Sequence, residues 1–283
     1  MPPTSLFGAA ITSVPADREQ GGTRRHIQGV EYVHTVPGSG GDLFLTRWGL
    51  PFARLLQPEH WLEPVWFAGQ RRRLRGTSTI YASRTRGLEG RALEIVVRYN
   101  RMGEDLPVDT VTLGEFPDAE FNTPFEEVAA VMALRRARIG PRRGFIATKR
   151  PLAIYSPPER RPGWQTGRDE SRMAAKQTRL PDFQLDGRRQ YLLLYGWIKG
   201  IDVQDAADRL GYESGQRLIA ETMAEVQAEL GQAGFRVLDM KPAHIIVRFT
   251  ANGQLRRRRD GRLMYALVDY ELLEPIPGWS GSG

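Results

Sequence analysis

Two carboxylates and an ammonium are the side chains of this sequence best suited to chemistry. Asp239 and Lys241 stand two residues apart in Asp239-Met-Lys-Pro-Ala-His244, and a second aspartate follows in Val268-Asp269-Tyr-Glu271. Moving a phosphoryl group needs a base to orient the acceptor hydroxyl and take its proton. It also needs a cation against the γ-phosphate and carboxylates to hold a charge-neutralising metal. Asp239, Lys241 and Asp269 supply those groups in that order. The chain has no cysteine, which excludes disulfides, thiolate zinc sites and a cysteine nucleophile. His26, His34 and His60 lack any metal-ligand spacing and read as surface or packing residues. No G-x-x-x-x-G-K-[ST] run occurs, so a P-loop site has no support.

The elements around these residues can be read from capping and periodicity. Asp202 predicts the N-cap of a short helix that Gly211 stops, and a longer helix is expected over 214–230, with Ile219, Met223, Val226 and Leu230 on one stripe. Gly231 and Gly234 end it and deliver the chain to Asp239. Three short strands follow, over 244–249, 254–258 and 263–268, separated by the hairpin dipeptides Asn252-Gly253 and Asp260-Gly261. Upstream, residues 71–75, 80–84 and 92–99 predict an antiparallel three-strand meander. Thr123, Pro124 and Glu126 then form a capping box at the start of a helix whose Phe125, Val128, Ala129 and Met132 share a face, ending before Gly140-Pro141. A strand pair is expected over 144–155, a long surface insertion over 156–186, a buried strand over 190–195 and a connector over 196–200. Residues 1–30 read as a mobile arm, and the Trp-rich stretch 31–69 as an extension packed on the domain that follows.

This order of elements, ending in a D-x-K-P-x-H loop and a hairpin-borne D-Y-E, resembles the protein-kinase-like superfamily. It is closer to compact bacterial members of the lipopolysaccharide-kinase and aminoglycoside-phosphotransferase kind than to eukaryotic kinases. The resemblance covers roughly residues 70–275, and about ten residues carry its specific part. It implies an α+β, bilobal fold, with an antiparallel N-lobe sheet and one helix over 70–195 and a minimal helical C-lobe over 196–283. It also implies ATP and magnesium or manganese as cofactors, with Asp239 as the catalytic-loop aspartate, Lys241 as the phosphate-neutralising lysine and Asp269 as the metal-binding aspartate.

Several positions depart from the family pattern. His244 stands where the family has a metal-binding asparagine. An imidazole suits softer metals than magnesium, so His244 is a metal ligand, a phosphate contact or a cap of the loop. Arg98 takes the place of the third-strand lysine that holds the α- and β-phosphates, keeping the charge in a bulkier planar fork. Glu126 belongs to the capping box, which leaves Glu127 as the expected ion-pair partner of Arg98. The phosphate-covering loop would be Gly76-Thr77-Ser78, with one glycine where the family often has three. Only twelve residues follow Glu271, so the helices that bind substrate in ordinary kinases are expected to be missing. These departures keep a second expectation open beside an ATP-dependent phosphotransferase: an inactive pseudokinase serving as a nucleotide-binding or protein-interaction module.

The net charge is +7 and the pI near 9.9, which suits an anionic partner such as a nucleotide. Only four of the 40 basic residues are lysines, Lys149, Lys176, Lys199 and Lys241, so each lysine is informative. The run Arg256–Arg259 reads as a solvated strand edge. No recognised nucleic-acid signature accompanies it, so nucleic acid is not the favoured partner. The expected partners are a nucleotide and a hydroxyl acceptor or protein. No apolar run approaches the roughly 20 residues of a membrane helix, and a cytoplasmic location is expected.

Overall fold

The computed structural model describes residues 22–107, 114–137 and 146–279. The architecture is α+β, and its described residues divide into two compact units, one built from 22–129 and 150–197 and the other from 130–149 and 198–279. No described helix is long and apolar enough to cross a membrane.

An eight-stranded sheet dominates the larger unit. Its strands are β1 (Thr23–Ile27), β2 (Val30–Thr35), β3 (Asp42–Leu45), β4 (Arg72–Arg73), β5 (Ile80–Arg84), β6 (Glu94–Tyr99), β8 (Pro151–Ser156) and β9 (Leu192–Gly196). They run in the order β1-β2-β3-β8-β9-β6-β5-β4, and every neighbouring pair is antiparallel. The expected meander is therefore one end of a wider sheet. The arm expected over 1–30 needs correction over its last residues, because β1 pairs with β2; residues 1–21 lie outside the described residues. The stretch 31–69 contributes β2, β3 and the helix α1 (Pro64–Gln70) to the same unit. Alternation along the strands builds a core on one sheet face from Leu43, Leu45, Leu56, Trp61, Ile95 and Val97 with Leu192 and Leu194. Gly49 is needed there because a Cβ would lie 2.0 Å from the carbonyl oxygen of Leu152.

Helix α2 (Pro124–Arg136) begins as its sequence predicts. Thr123 Oγ1 accepts from the Glu126 amide at 3.1 Å, and the Thr123 amide donates to Glu126 Oε2 at 2.8 Å. Gly140-Pro141, the expected stop, lies outside the described residues. The insertion is ordered rather than a bare surface loop. It holds helix α3 (Glu170–Thr178), capped by Asp169, and buries Lys176 with its ammonium 3.0 Å from Glu120 Oε2. Phe183 packs on Phe125, ring centroids 4.6 Å apart.

The strand pair expected over 144–155 is corrected too. β7 (Ala147–Thr148) runs parallel beside β13 (Tyr265–Leu267) in the smaller unit, whereas β8 joins the large sheet. Pro151 opens β8 without an amide donor and steers the residue before it to extended geometry, which suits the change of sheet.

In the smaller unit β7 and β13 belong to a four-stranded sheet of order β10-β12-β13-β7, with β10 (Ile201–Asp202) and β12 (Ile245–Val247). Asp202 caps α4 (Val203–Leu210), accepting from the Asp205 amide at 2.7 Å, and Gly211 ends it at φ +79°. Helix α5 (Tyr212–Gln232) leads into β11 (Phe235–Val237), which pairs with β14 (Leu273–Pro275). Both predicted hairpin turns form, with Gly253 and Gly261 at positive φ, but the stretch 254–258 makes only isolated bridges instead of a strand. Arg258 in that run is turned toward the buried Glu229, its Nη1 and Nη2 donating to the carboxylate at 3.0 and 3.1 Å, where Tyr265 also donates at 2.6 Å.

Candidate active site

Asp239, Lys241, His244 and Asp269 come together in the smaller unit because two strand pairs hold their loops. β11 ends at Val237, and the Leu238 amide donates to Leu272 O at 3.1 Å, which fixes the backbone just before Asp239. The 3-10 turn Pro242–His244 closes when the His244 amide donates to Lys241 O at 2.9 Å. β12 then pairs with β13, and the Val268 amide donates to His244 O at 2.9 Å. Asp239 follows one strand and Asp269 another, so each carboxylate stands at a strand end beside the same turn.

Among the side chains, Lys241 Nζ lies 3.5 Å from Asp239 Oδ2, and His244 Nε2 lies 3.4 Å from Asp269 Oδ2. His244 Nδ1 is buried and makes no hydrogen bond among the described residues. The Asp269 carboxylate also accepts from the Glu271 amide at 3.2 Å. Asp239 is raised above the usual aspartate range, first because burial penalises its charge and then because Asp269 adds a like charge. Lys241 and His244 oppose that rise. A carboxyl with raised proton affinity is a competent general base toward a hydroxyl. Compared with models of protein families and with curated proteins, the chain matches none.

Among the described residues no three His, Asp or Glu side chains converge as a metal-binding group. Magnesium needs fewer protein donors, since it keeps several waters and takes one or two carboxylates together with substrate phosphates. The hard oxygens of Asp239 and Asp269, electrostatically coupled to each other, fit that requirement. His244 fits it less well, because its Nε2 faces Asp269.

Lys149 and Tyr270 belong to the same neighbourhood and were not singled out as site residues by the sequence. Lys149 Nζ donates to Val268 O at 3.1 Å, and its amide donates to the hydroxyl of the buried Tyr270 at 2.7 Å, so both brace the backbone beside Asp269. The scarcity of lysine was the available signal for Lys149.

In the larger unit, Arg98 on β6 donates from Nη1 to Glu127 Oε1 at 2.8 Å, with the two side chains 3% and 0% exposed. Tyr195 on β9 donates to the same oxygen. The strand-to-helix ion pair expected from the sequence is therefore formed. The loop Gly76-Thr77-Ser78 joins β4 to β5, with Gly76 at φ +130°, a conformation open to glycine. Two residues past it, Ile80 stands opposite Arg98.

Proposed function

We propose that this protein is a divergent, protein-kinase-like phosphotransferase that moves the γ-phosphate of ATP to a hydroxyl acceptor. The observation that carries the reading is the Asp239–Lys241–His244–Asp269 cluster, with the Asp239 carboxyl raised in proton affinity. Asp239 takes the proton of the acceptor hydroxyl as its oxygen bonds to the γ-phosphorus, the bond to the β-bridging oxygen breaks, and ADP departs. Lys241 sets its ammonium against the transferring phosphoryl oxygens. Asp269 would hold a magnesium or manganese ion, which would neutralise charge on the phosphates. The Arg98–Glu127 pair supports the same reading, because the family places a cation–glutamate pair between its third strand and the next helix.

Metal-dependent ATP turnover by the wild type, abolished in Asp239→Ala and in Asp269→Ala, is the expected result. Equal turnover in all three proteins would sink the proposal.

A second reading, nucleotide binding without transfer, is favoured by one contact. His244 Nε2 faces the carboxylate that would otherwise hold metal. Under that reading ATP with metal raises the melting temperature, yet no phosphate reaches any offered acceptor.

A further inference from the structure

We propose that the arginine-rich edge formed by α1, β4 and β5 binds single-stranded polynucleotide. Between Glu63 and Glu89 the chain carries six arginines, Arg71, Arg72, Arg73, Arg75, Arg84 and Arg86, and no acidic residue. That segment holds +6 of the net +7, so 7 − 6 leaves +1 for all other residues together.

The fold arranges this charge on rings. The Arg71 guanidinium lies 5.4 Å from the centre of the Phe67 ring and 5.0 Å from that of Tyr81, and Arg73 lies 5.5 Å from Tyr81. Arg72 covers Trp197 at 5.7 Å and Arg86 covers Trp66 at 5.4 Å. Tyr81 in turn meets Phe67 and Tyr99 edge-on, at 5.5 and 6.3 Å. Arg86 is shared with Glu63, but Arg71, Arg72 and Arg73 are exposed and enter no ion pair among the described residues.

β4 ends the eight-stranded sheet, and charge on an edge strand discourages unwanted strand pairing. That purpose does not require guanidinium groups set over aromatic rings. A guanidinium held beside an aromatic ring is a planar cation that can neutralise a phosphate and stack against an unpaired base. A duplex keeps its bases stacked on one another and offers only the first of these contacts. A lipid surface is a poorer fit, because Val65 is the only exposed large apolar side chain of the segment, and interfacial insertion needs an apolar face.

The test measures fluorescence anisotropy of a labelled oligouridylate of about 20 nucleotides, long enough to span one such surface, across a salt series. The triple variant Arg71→Gln/Arg72→Gln/Arg73→Gln should bind at least about tenfold more weakly and lower the salt slope by about 2, three lost phosphate contacts at ~0.7 each. The triple lysine variant should keep the slope and still bind several-fold more weakly, since ammonium groups do not stack. Arg257→Gln/Arg259→Gln, in the smaller unit, should bind as the wild type does. Unchanged affinity in the triple glutamine variant overturns the proposal. So does equal affinity for single strand and duplex of the same length, or binding to phosphatidylserine vesicles with none to the oligonucleotide.

Discussion

The Asp239 carboxyl gives up its proton less readily than an ordinary aspartate because folding takes it out of water and sets Asp269 nearby. The sign follows directly. Its folded pKa lies above the unfolded value of 3.8, so the folded state bears an electrostatic cost when Asp239 is ionised, and that cost is relieved as pH falls through the folded pKa toward 3.8. Asp239→Asn is therefore expected to melt higher than the wild type at neutral pH, with the difference shrinking as the pH enters the ordinary aspartate range. Melting temperatures of both proteins across pH decide this; a difference that does not change with pH speaks against it. Arg98 poses the opposite case, a buried charge that is compensated. Arg98→Met removes the cation that compensates the buried Glu127 carboxylate and should cost about 3–5 kcal/mol in urea unfolding, while Arg98→Met/Glu127→Leu should cost clearly less. The pair could be named in advance because the resemblance implies a cation on this strand and a glutamate on the next helix. The contact of Tyr195 with the same carboxylate could not, since it depends on how β9 lies beside β6.

Helix α2 starts where Thr123 and Glu126 exchange hydrogen bonds, and Glu127 lies in its first turn. Thr123→Ala should cost about 1 kcal/mol and speed amide hydrogen exchange over residues 124–128, a change visible by mass spectrometry. Caps of this kind are legible in sequence because donor and acceptor lie three residues apart. Helix α3 was less legible. It lies inside the stretch read as a surface insertion, and the buried Lys176 is explained by Glu120, which is 56 residues earlier in the chain. β7 and β8 show the same limit. Each has a strand-like sequence, but their partners are β13 and β3 with β9, and no local pattern reports a partner.

At the scale of the whole chain, each unit has a core cluster, one around Leu43, Leu45 and Trp61 and another of Ala147, Ile198 and Ala266. Separated sites without shared partners add in their effects. Leu45→Ala should therefore cost about 2–5 kcal/mol through the cavity it opens. It should lower hydrogen-exchange protection in β3 and β8 while leaving β12 and β13 as in the wild type. Loss of protection across both units to the same extent would show that they unfold as one. The net charge is a whole-chain property as well, but the proposed polynucleotide contact rests on its concentration at one sheet edge.

The sequence alone determined the α+β class, the helix caps, the glycine turns and the chemical character of Asp239, Lys241 and Asp269, because each depends on residue type and near neighbours. Tertiary structure decided which distant groups meet. It set His244 against Asp269, turned Arg258 to Glu229, extended a meander into eight strands and laid Arg71–Arg73 over the rings of Phe67, Tyr81 and Trp197. The physical reason is range. Capping and turn formation act over a few bonds, whereas proton affinity, ion pairing and ring contacts are set by burial and by partners brought close only when the sheets form.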